Sequence, residues 1–584
     1  MISSFRTYIL CLLIPMVRVA AFATEYTVSS AAQIAQVMQT ARPGDTLTMS
    51  NGTWTNQDIL FQGNGAAGNP ITLRARTYGA VTLNGTSRLR IVGNYLVAEN
   101  FLFQNGNCGS NPVVEFRNGS LESNYCRFTN SAIINYSPPD INTDSKWVSL
   151  YGTYNRVDRC FFRNKTNSGT TLVVWLTNHP NYHQIDHNHF GLRPALGFNG
   201  GETIRVGTSD WSMYDSFSTV ELNLFEECNG EIEIISSKSC GNVYRYNTFV
   251  SCQGALTLRH GNRCTVEGNF FFGNGAPNSG GIRIIGEDHT VFNNYIAGTT
   301  GNSMKSALSF VNGVPNSPLN RYFQVKRAIV AFNTLVDNAT NLTIGAGADS
   351  ELTLPPLDCT IANNIVYGTT SPLITQVAAP INMTWQGNIF YGATLGISPT
   401  PSGIRIVDPQ LAAVGADGLR RLNSGSPVVN SSVGTYSYVQ DDMDGQLRDS
   451  LKDVGADEYA GSTIVRRPLT AADVGPNSGT ASVPDDDLGG IIRGFKLEDN
   501  YPNPFNPTTM IRFTIQNSQF TILKVFDLLG REVATLVNEA LSPGRYEIVF
   551  DARLSGREEL SSGIYFYTLQ SGSFLTTKKM MMIR

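Results

Sequence analysis

The sequence predicts an all-β protein: a right-handed parallel β-helix with an N-terminal cap helix, followed by a small C-terminal β-sandwich. Three observations carry this. First, an Asn followed closely by an aromatic or aliphatic residue keeps returning, at Asn100, Asn124, Asn188, Asn223, Asn247, Asn269, Asn293, Asn333, Asn364 and Asn388. In the middle the steps are 24, 22 and 24 residues, a solenoid period without the regular leucines of a leucine-rich repeat. Second, short β-branched runs between polar turns fill each period, enough for three strands and three turns per coil. Third, Cys228, Cys240, Cys252 and Cys264 lie 12 residues apart. Alternate members then fall one coil apart and are expected to stack as small apolar fillers rather than as disulfides. With 55 glycines and only 15% charged residues, the composition suits turn-rich β-structure. The net charge of −4 argues against a nucleic-acid binder, which is usually basic.

The elements follow in order. Arg6, the apolar run 8–17 and Ala21-Phe22-Ala23 read as a secretory signal over residues 1–23. No later stretch is long and apolar enough to span a bilayer. SSAAQIAQVMQ at 29–39 starts with a capping Ser and carries a helical pattern, so it is read as the cap that a solenoid's open end requires. The β-helix is expected over 24–460. Longer steps, from 190 to 223 and from 295 to 333, place insertions in turns, where loops build a groove. Residues 461–492, with PNSGTASVPDDDLGG, read as a polar linker. A separate β unit over 493–584 has strands expected near 509–516, 520–527, 545–550 and 563–570.

The chemistry concentrates between Asn223 and Arg259. Glu231 and Glu233 flank Ile232 in a β-branched run. On a strand, that alternation sends both carboxylates to one face, and Ile232 with Ile234 to the other. Adjacent carboxylates repel, so such a pair holds a cation or divides acid and base roles. Superposing coils on Asn223 and Asn247 sets Glu231 beside Ala255, Glu233 beside Thr257 and Ile235 beside Arg259, with all odd positions outward. Lys238 then follows in the turn after the glutamate strand. Arg283, between Ile282 and Ile284, faces outward one coil on, and His260 lies next to Arg259.

Hard carboxylate oxygens suit Ca²⁺, and Arg205, Arg259 and Arg283 would draw a polyanionic sugar. Taking the C5 proton of a uronate builds charge on its carboxylate, which a cation stabilises. The base must be neutral, and an amine beside a cation and guanidiniums gives up its proton more readily. A hydrolase is the other enzymatic reading, since i, i+2 carboxylates on a strand sit about 7 Å apart, near the inverting range. It has no need of Lys238 and Arg259. A non-catalytic surface adhesin displaying a polysaccharide-binding groove is the non-enzymatic reading. Asp441, Asp442 and Asp444 lack the later glutamate of a Ca²⁺ loop and are read as a turn.

The runs GEIEIISSKSCGN, RYNTF, LRHGN and GGIRI, with NGGETIR at 199–205 and DMDGQLRDSLKDVGADE at 442–458, resemble polysaccharide lyase family 6, the alginate lyases and chondroitinase B. The resemblance spans most of 25–459. It implies Ca²⁺ bound by Asn199, Glu231 and Glu233, Lys238 as Brønsted base and Arg259 as Brønsted acid. It also implies substrate contacts at Arg205, His260 and Arg283. Arginine is a poor proton donor, so Arg259 is expected chiefly to stabilise the leaving oxygen, with water or His260 delivering the proton. The implied substrate is alginate, with dermatan sulfate as the rival. From Asn500 onward, NYPNPFNPTT, LKVFDLLGREVATLV, SGIYFYTL and a basic end resemble the type A C-terminal domain of the type IX secretion system. That implies the type IX machinery as partner, and a bacterial protein secreted or attached to the outer cell surface.

Overall fold

The computed structural model describes residues 23–460, 463–476, 478 and most of 496–583. The signal segment, apart from Ala23, residues 461–462, 477 and 479–492 of the expected linker, and 493–495 of the expected C-terminal unit lie outside the described residues. The chain divides into two compact units, Met1–Ala481 and Ser482–Arg584. No helix among the described residues is long and apolar enough to cross a membrane.

The first unit is a parallel β-helix. Three 14-stranded sheets run along it, and each coil gives one strand to each sheet in turn. In one coil these are Thr219–Glu221, Leu224–Glu226 and Glu233–Lys238; Val243–Arg245 then opens the next coil beside Thr219–Glu221. Inward columns of like side chains fill the interior. Phe190, Phe225, Phe249 and Phe271 stack with centroids 4.4 to 4.9 Å apart. The helix Ala31–Met38 covers the N-terminal end, its Gln33 N–H donating to the Ser30 hydroxyl and its Ile34 buried; a capping Ser satisfies one of the orphan donors there.

The recurrent asparagines form a buried ladder of Asn188, Asn223, Asn247, Asn269, Asn294, Asn333, Asn364 and Asn388. Each Nδ2 donates to the next Oδ1 at 2.9 to 3.0 Å. The same oxygen accepts the preceding Asn's backbone N–H, so buried amides that would be costly alone satisfy one another. Three expected rungs stand elsewhere. Asn100 donates to the Ala75 carbonyl and accepts from Asn130 Nδ2. Asn293 has φ 56° and turns outward to the Asp441 carbonyl, leaving Asn294 as the rung. Asn124 belongs to a separate corner with Asn94 and Asn64. The cysteines at 108, 126, 160, 228, 240, 252, 264 and 359 are all free thiols, and Cys228 N–H lies 3.4 Å from Cys252 Sγ one coil on.

At the C-terminal end, Asp442 Oδ1 accepts from the Asp444 and Gln446 N–H groups, the turn read from the sequence. Asp444 is neutralised by a two-pronged contact from Arg421. Residues 463–476 and 478, within the stretch expected as a linker, lie along the solenoid. The Val465 N–H donates to Asp444 O, the Arg466 guanidinium sits 3.6 Å above the Tyr246 ring, and the Leu469 N–H donates to Thr248 Oγ1. Gly475 N–H then reaches the His187 carbonyl, and Arg159 Nε donates to the Ser478 carbonyl. The strap thus runs back over successive coils. A chain ended after Tyr459 is expected to melt about 3–5 °C below one ended after Ser478; equal midpoints by calorimetry would show the strap contributes nothing.

The second unit pairs a three-stranded sheet (Lys496–Leu497, Thr508–Ile515, Gly544–Asp551) with a four-stranded one (Glu532–Leu541, Gln519–Asp527, Gly563–Ser571, Phe574–Met582). Their shared core includes Ile511, Phe513, Leu523, Val525, Tyr567 and Met580. Four of these strands match expectation. Glu532–Leu541 and Phe574–Met582 were not read as strands; the latter is the basic end, an edge strand of the kind that lysines protect from further pairing.

A candidate active site on the third sheet

The site is built around the strand Glu233–Lys238. Its register against the next coil is Glu233 to Ala255, Ile235 to Leu256, Ser236 to Thr257, Ser237 to Leu258 and Lys238 to His260, with irregularities after Glu233 and after Ser237. This corrects the expected register, in which Glu233 met Thr257 and Ile235 met Arg259. A bulge is the reason: Ile234 and Ile235 both enter the core, which shifts the alternation by one residue. Odd positions therefore do not all face outward. Strict alternation from Glu233 would have turned Lys238 inward; the extra residue brings both onto one face. Ile232, expected in the core, is 36% exposed, and Glu231 precedes the strand.

Carboxylate oxygens of Glu202, Glu231 and Glu233 all lie within 4.8 Å of one another. Glu202 was missed as a site residue, although it stands in the quoted NGGETIR run. Ile204 pairs with Ile235, so Glu202 and Glu233 occupy equivalent places on neighbouring coils. Gly200 N–H donates to Glu231 Oε2 at 3.2 Å; the exposed Asn199 precedes it. Glu231 Oε1 is buried without a hydrogen-bond partner. Burial, then the charges of Glu202 and Glu233, push the Glu231 carboxyl up to about 8. A carboxylate trio of two buried members and one half-buried one, with an orphaned oxygen, fits a hard cation.

Behind this cluster lies the buried Arg193, also unforeseen. Its Nη1 donates to the Glu202 carbonyl at 2.6 Å and to Thr171 Oγ1, and its Nη2 to the Gly169 carbonyl at 2.7 Å. Burial lowers its guanidinium to about 10. A Cβ at Gly230 would come 2.0 Å from the Gly201 carbonyl and 2.7 Å from Arg193 Nε, so the turns carrying Glu202 and Glu231 can approach only as glycines.

Cationic groups line the other side. Lys238 Nζ is 3.7 Å from Glu202 Oε1, Arg259 Nε 3.5 Å from Glu233 Oε1, and Arg283 Nη2 2.9 Å from that same oxygen. Arg283 is 1% exposed, with Nε and Nη1 unpartnered. Arg259 is held by the insertion between the strands Leu308–Val311 and Ile329–Ala331. Its Nη1 and Nη2 donate to the carbonyls of Arg321 and Asn320, and its guanidinium lies 4.0 Å from the Tyr322 ring centroid. His260 is buried between Arg259 and Ser209. Burial, then Arg259, Lys238 and Arg283, push its imidazole down to about 2, so at neutral pH it holds no imidazolium proton to deliver. Arg205 pairs with Ser236 and shares the outer face one coil toward the N-terminus. The fold thus brings Glu231, Glu233, Lys238, Arg259, His260 and Arg283 together, and adds Glu202, Tyr322 and Arg193.

The chondroitinase B family model matches residues 28–401, and that of a secretion system C-terminal sorting domain matches 499–583. No curated protein matches the chain. Among solved structures, an arginine-to-alanine variant of the family 6 alginate lyase AlyGC is 34% identical over 80% of this chain and 60% of its own, with TM-score 0.70. A mannuronic acid specific family 6 lyase from the human gut microbiota is 34% identical over 66% of this chain and 91% of its own, with TM-score 0.60. The family 6 lyase Pedsa3628 from Pseudopedobacter saltans is 29% identical over 66% and 96%, with TM-score 0.56. The chain spans only 60% of the length of AlyGC.

Proposed function

The chain belongs to the chondroitinase B family, polysaccharide lyase family 6, and on that ground we propose that it cuts alginate by Ca²⁺-assisted β-elimination. The observation that carries the reading is the meeting of three carboxylates within 4.8 Å with Lys238 and Arg259 on one outer face. Glu202, Glu231 and Glu233 would hold Ca²⁺, with Asn199, beside Gly200, offering a further oxygen. Bound there, the ion supplies positive charge against the uronate carboxylate as the C5 proton leaves. Lys238 Nζ takes that proton, the C5–H electron pair becomes the C4–C5 double bond, and the C4–O bond breaks. Arg259 steadies the departing oxygen, which water protonates. Arg205, His260 and Arg283 contact the sugar. The sorting domain puts the protein on the type IX route to the cell surface or the medium.

Dermatan sulfate is the second substrate reading, favoured by the chondroitinase B match over 28–401. The deciding experiment incubates the protein with poly-mannuronate, poly-guluronate and dermatan sulfate, with and without chelator, and follows unsaturated uronate by ultraviolet absorbance. Alginate-derived product that chelator abolishes is expected. No unsaturated product from any polymer would leave the adhesin reading in place of the lyase.

Tyr322 offers a narrower check. Its ring and the carbonyls beside it fix Arg259, so Tyr322→Ala is expected to lower kcat about tenfold, while Tyr322→Phe keeps most of it. Steady-state kinetics on the preferred polymer decides this; equal losses in both variants would point to the hydroxyl instead.

A further inference from the structure

Behind the glutamates lie two buried cations, Lys165 and Arg193, each 2% exposed. Among the described residues neither has a carboxylate within ion-pair reach; their acceptors are carbonyls, one amide oxygen and one hydroxyl. The Lys165 ammonium donates to the Asn167 carbonyl, to Asn167 Oδ1 and to the Ser168 carbonyl, at 2.8 to 3.0 Å. Arg193 Nη2, besides holding Gly169, reaches the same Asn167 carbonyl at 3.4 Å. Buried charge without a counter-ion is costly, and here both charges are spent on one turn, 167–169. Asn167 ties that turn on to the Thr143 carbonyl and Ser145 Oγ.

Hydrogen bonds lead from this turn to the carboxylates. Arg193 Nη2 holds the Gly169 carbonyl, Gly169 N–H donates to the Gly200 carbonyl at 2.9 Å, and Gly200 N–H donates to Glu231 Oε2. Arg193 Nη1 holds the carbonyl of Glu202 itself. The Arg193 backbone reaches the following coil, its N–H donating to the Glu227 carbonyl and its carbonyl accepting from the Asn229 N–H. One residue thus ties three successive coils, and two of the three glutamates hang from them. Glu233 does not, since Ser236 Oγ and Arg283 hold it on its own strand. A planar fork of five donors serves diverging acceptors at once, which an ammonium on a flexible stem does not.

We propose that Arg193 is a positioning residue for the cation site: with Lys165 behind it, its guanidinium fixes the turns that present Glu202 and Glu231, and so sets how tightly the trio holds Ca²⁺. It touches neither the ion nor the sugar. The inference rests on the Ca²⁺-assisted lyase reading for the identity of the ion.

The test titrates Ca²⁺ alone into the full, chelator-stripped chain by calorimetry. Arg193→Lys, which keeps the charge and loses the fork, is expected to weaken the Ca²⁺ Kd about thirtyfold, and Arg193→Gln at least as much. Thr171→Val removes one acceptor of Nη1 and is expected to weaken it about threefold. Raising free Ca²⁺ should restore most of kcat in Arg193→Lys, because Lys238 and Arg259 are untouched. A lower melting temperature in chelator with an unchanged Kd would make Arg193 a residue of the fold only and overturn the proposal. So would a tighter Kd in Arg193→Gln, which would mean that the ion feels its charge and not its grip. Should the arginine variants fail to fold, a wild-type Kd in Thr171→Val overturns it as well. A wild-type chain that binds no Ca²⁺ would instead sink the Ca²⁺ reading, and this inference with it.

Discussion

Lys238→Ala is expected to lower kcat by about 10²–10⁴-fold, the range a positioned general base contributes, while the melting temperature and Ca²⁺ affinity barely move. The side chain stands on the outer face, 18% exposed, and its ion-pair partner, Glu202, is 3.7 Å away. No core contact is lost with it. Lys238→Arg separates base from charge: a guanidinium keeps the positive charge but cannot give up its proton to become a base, so it is expected to be as inactive as alanine. Rates of unsaturated uronate formation, with calorimetry to verify folding, decide the matter. A Lys238→Arg enzyme retaining a tenth of wild-type activity would mean that another group takes the C5 proton.

Removing the cation should act on both rate and stability. Glu202, Glu231 and Glu233 crowd their oxygens within 4.8 Å, and Glu231 Oε1 has no protein donor, so a cation among them would relieve a mutual repulsion that Lys238, Arg259 and Arg283 offset through Glu202 and Glu233 alone. Free Ca²⁺ at a hundredfold excess over its Kd is expected to stabilise the fold by about 2.7 kcal/mol. Chelator should remove that gain and at least a hundredfold of the activity, the scale of losing a preorganised charge at the reacting carboxylate. Glu231→Gln should lose both responses. This assigns the ion to the glutamate cluster and not to Asp442, Asp444 and Asp457, whose oxygens also lie within 4.8 Å. A thermal midpoint indifferent to Ca²⁺ and chelator would remove the ion from the mechanism.

Much of the scaffold was legible because a solenoid repeats itself. The interval between asparagines named the coil, and the buried amide ladder is its cause. The free cysteines followed from the same spacing. Where two asparagines adjoin, at Asn293 and Asn294, the interval could not tell rung from corner; backbone conformation decides that. The docked strap at 463–476 and 478 was hidden because its composition is that of a linker, and its partners Tyr246, His187 and Arg159 lie far away in sequence.

At the site, the sequence alone determined the cast of the central strand and its successor: Glu231, Glu233, Lys238, Arg259 and His260, close enough in the chain for one or two coils to bring them together. Only the tertiary structure decided how they face. The bulge at Glu233–Ile235 turns Lys238 outward, the preceding coil supplies Glu202, a long insertion carries Tyr322 over Arg259, and Arg193 braces the turns from behind. Periodicity is local and written in the spacing of residues. A one-residue slip in strand pairing, or a loop folding back across coils, is settled by which packing buries the isoleucines and satisfies the charges, and no interval in the chain records that balance.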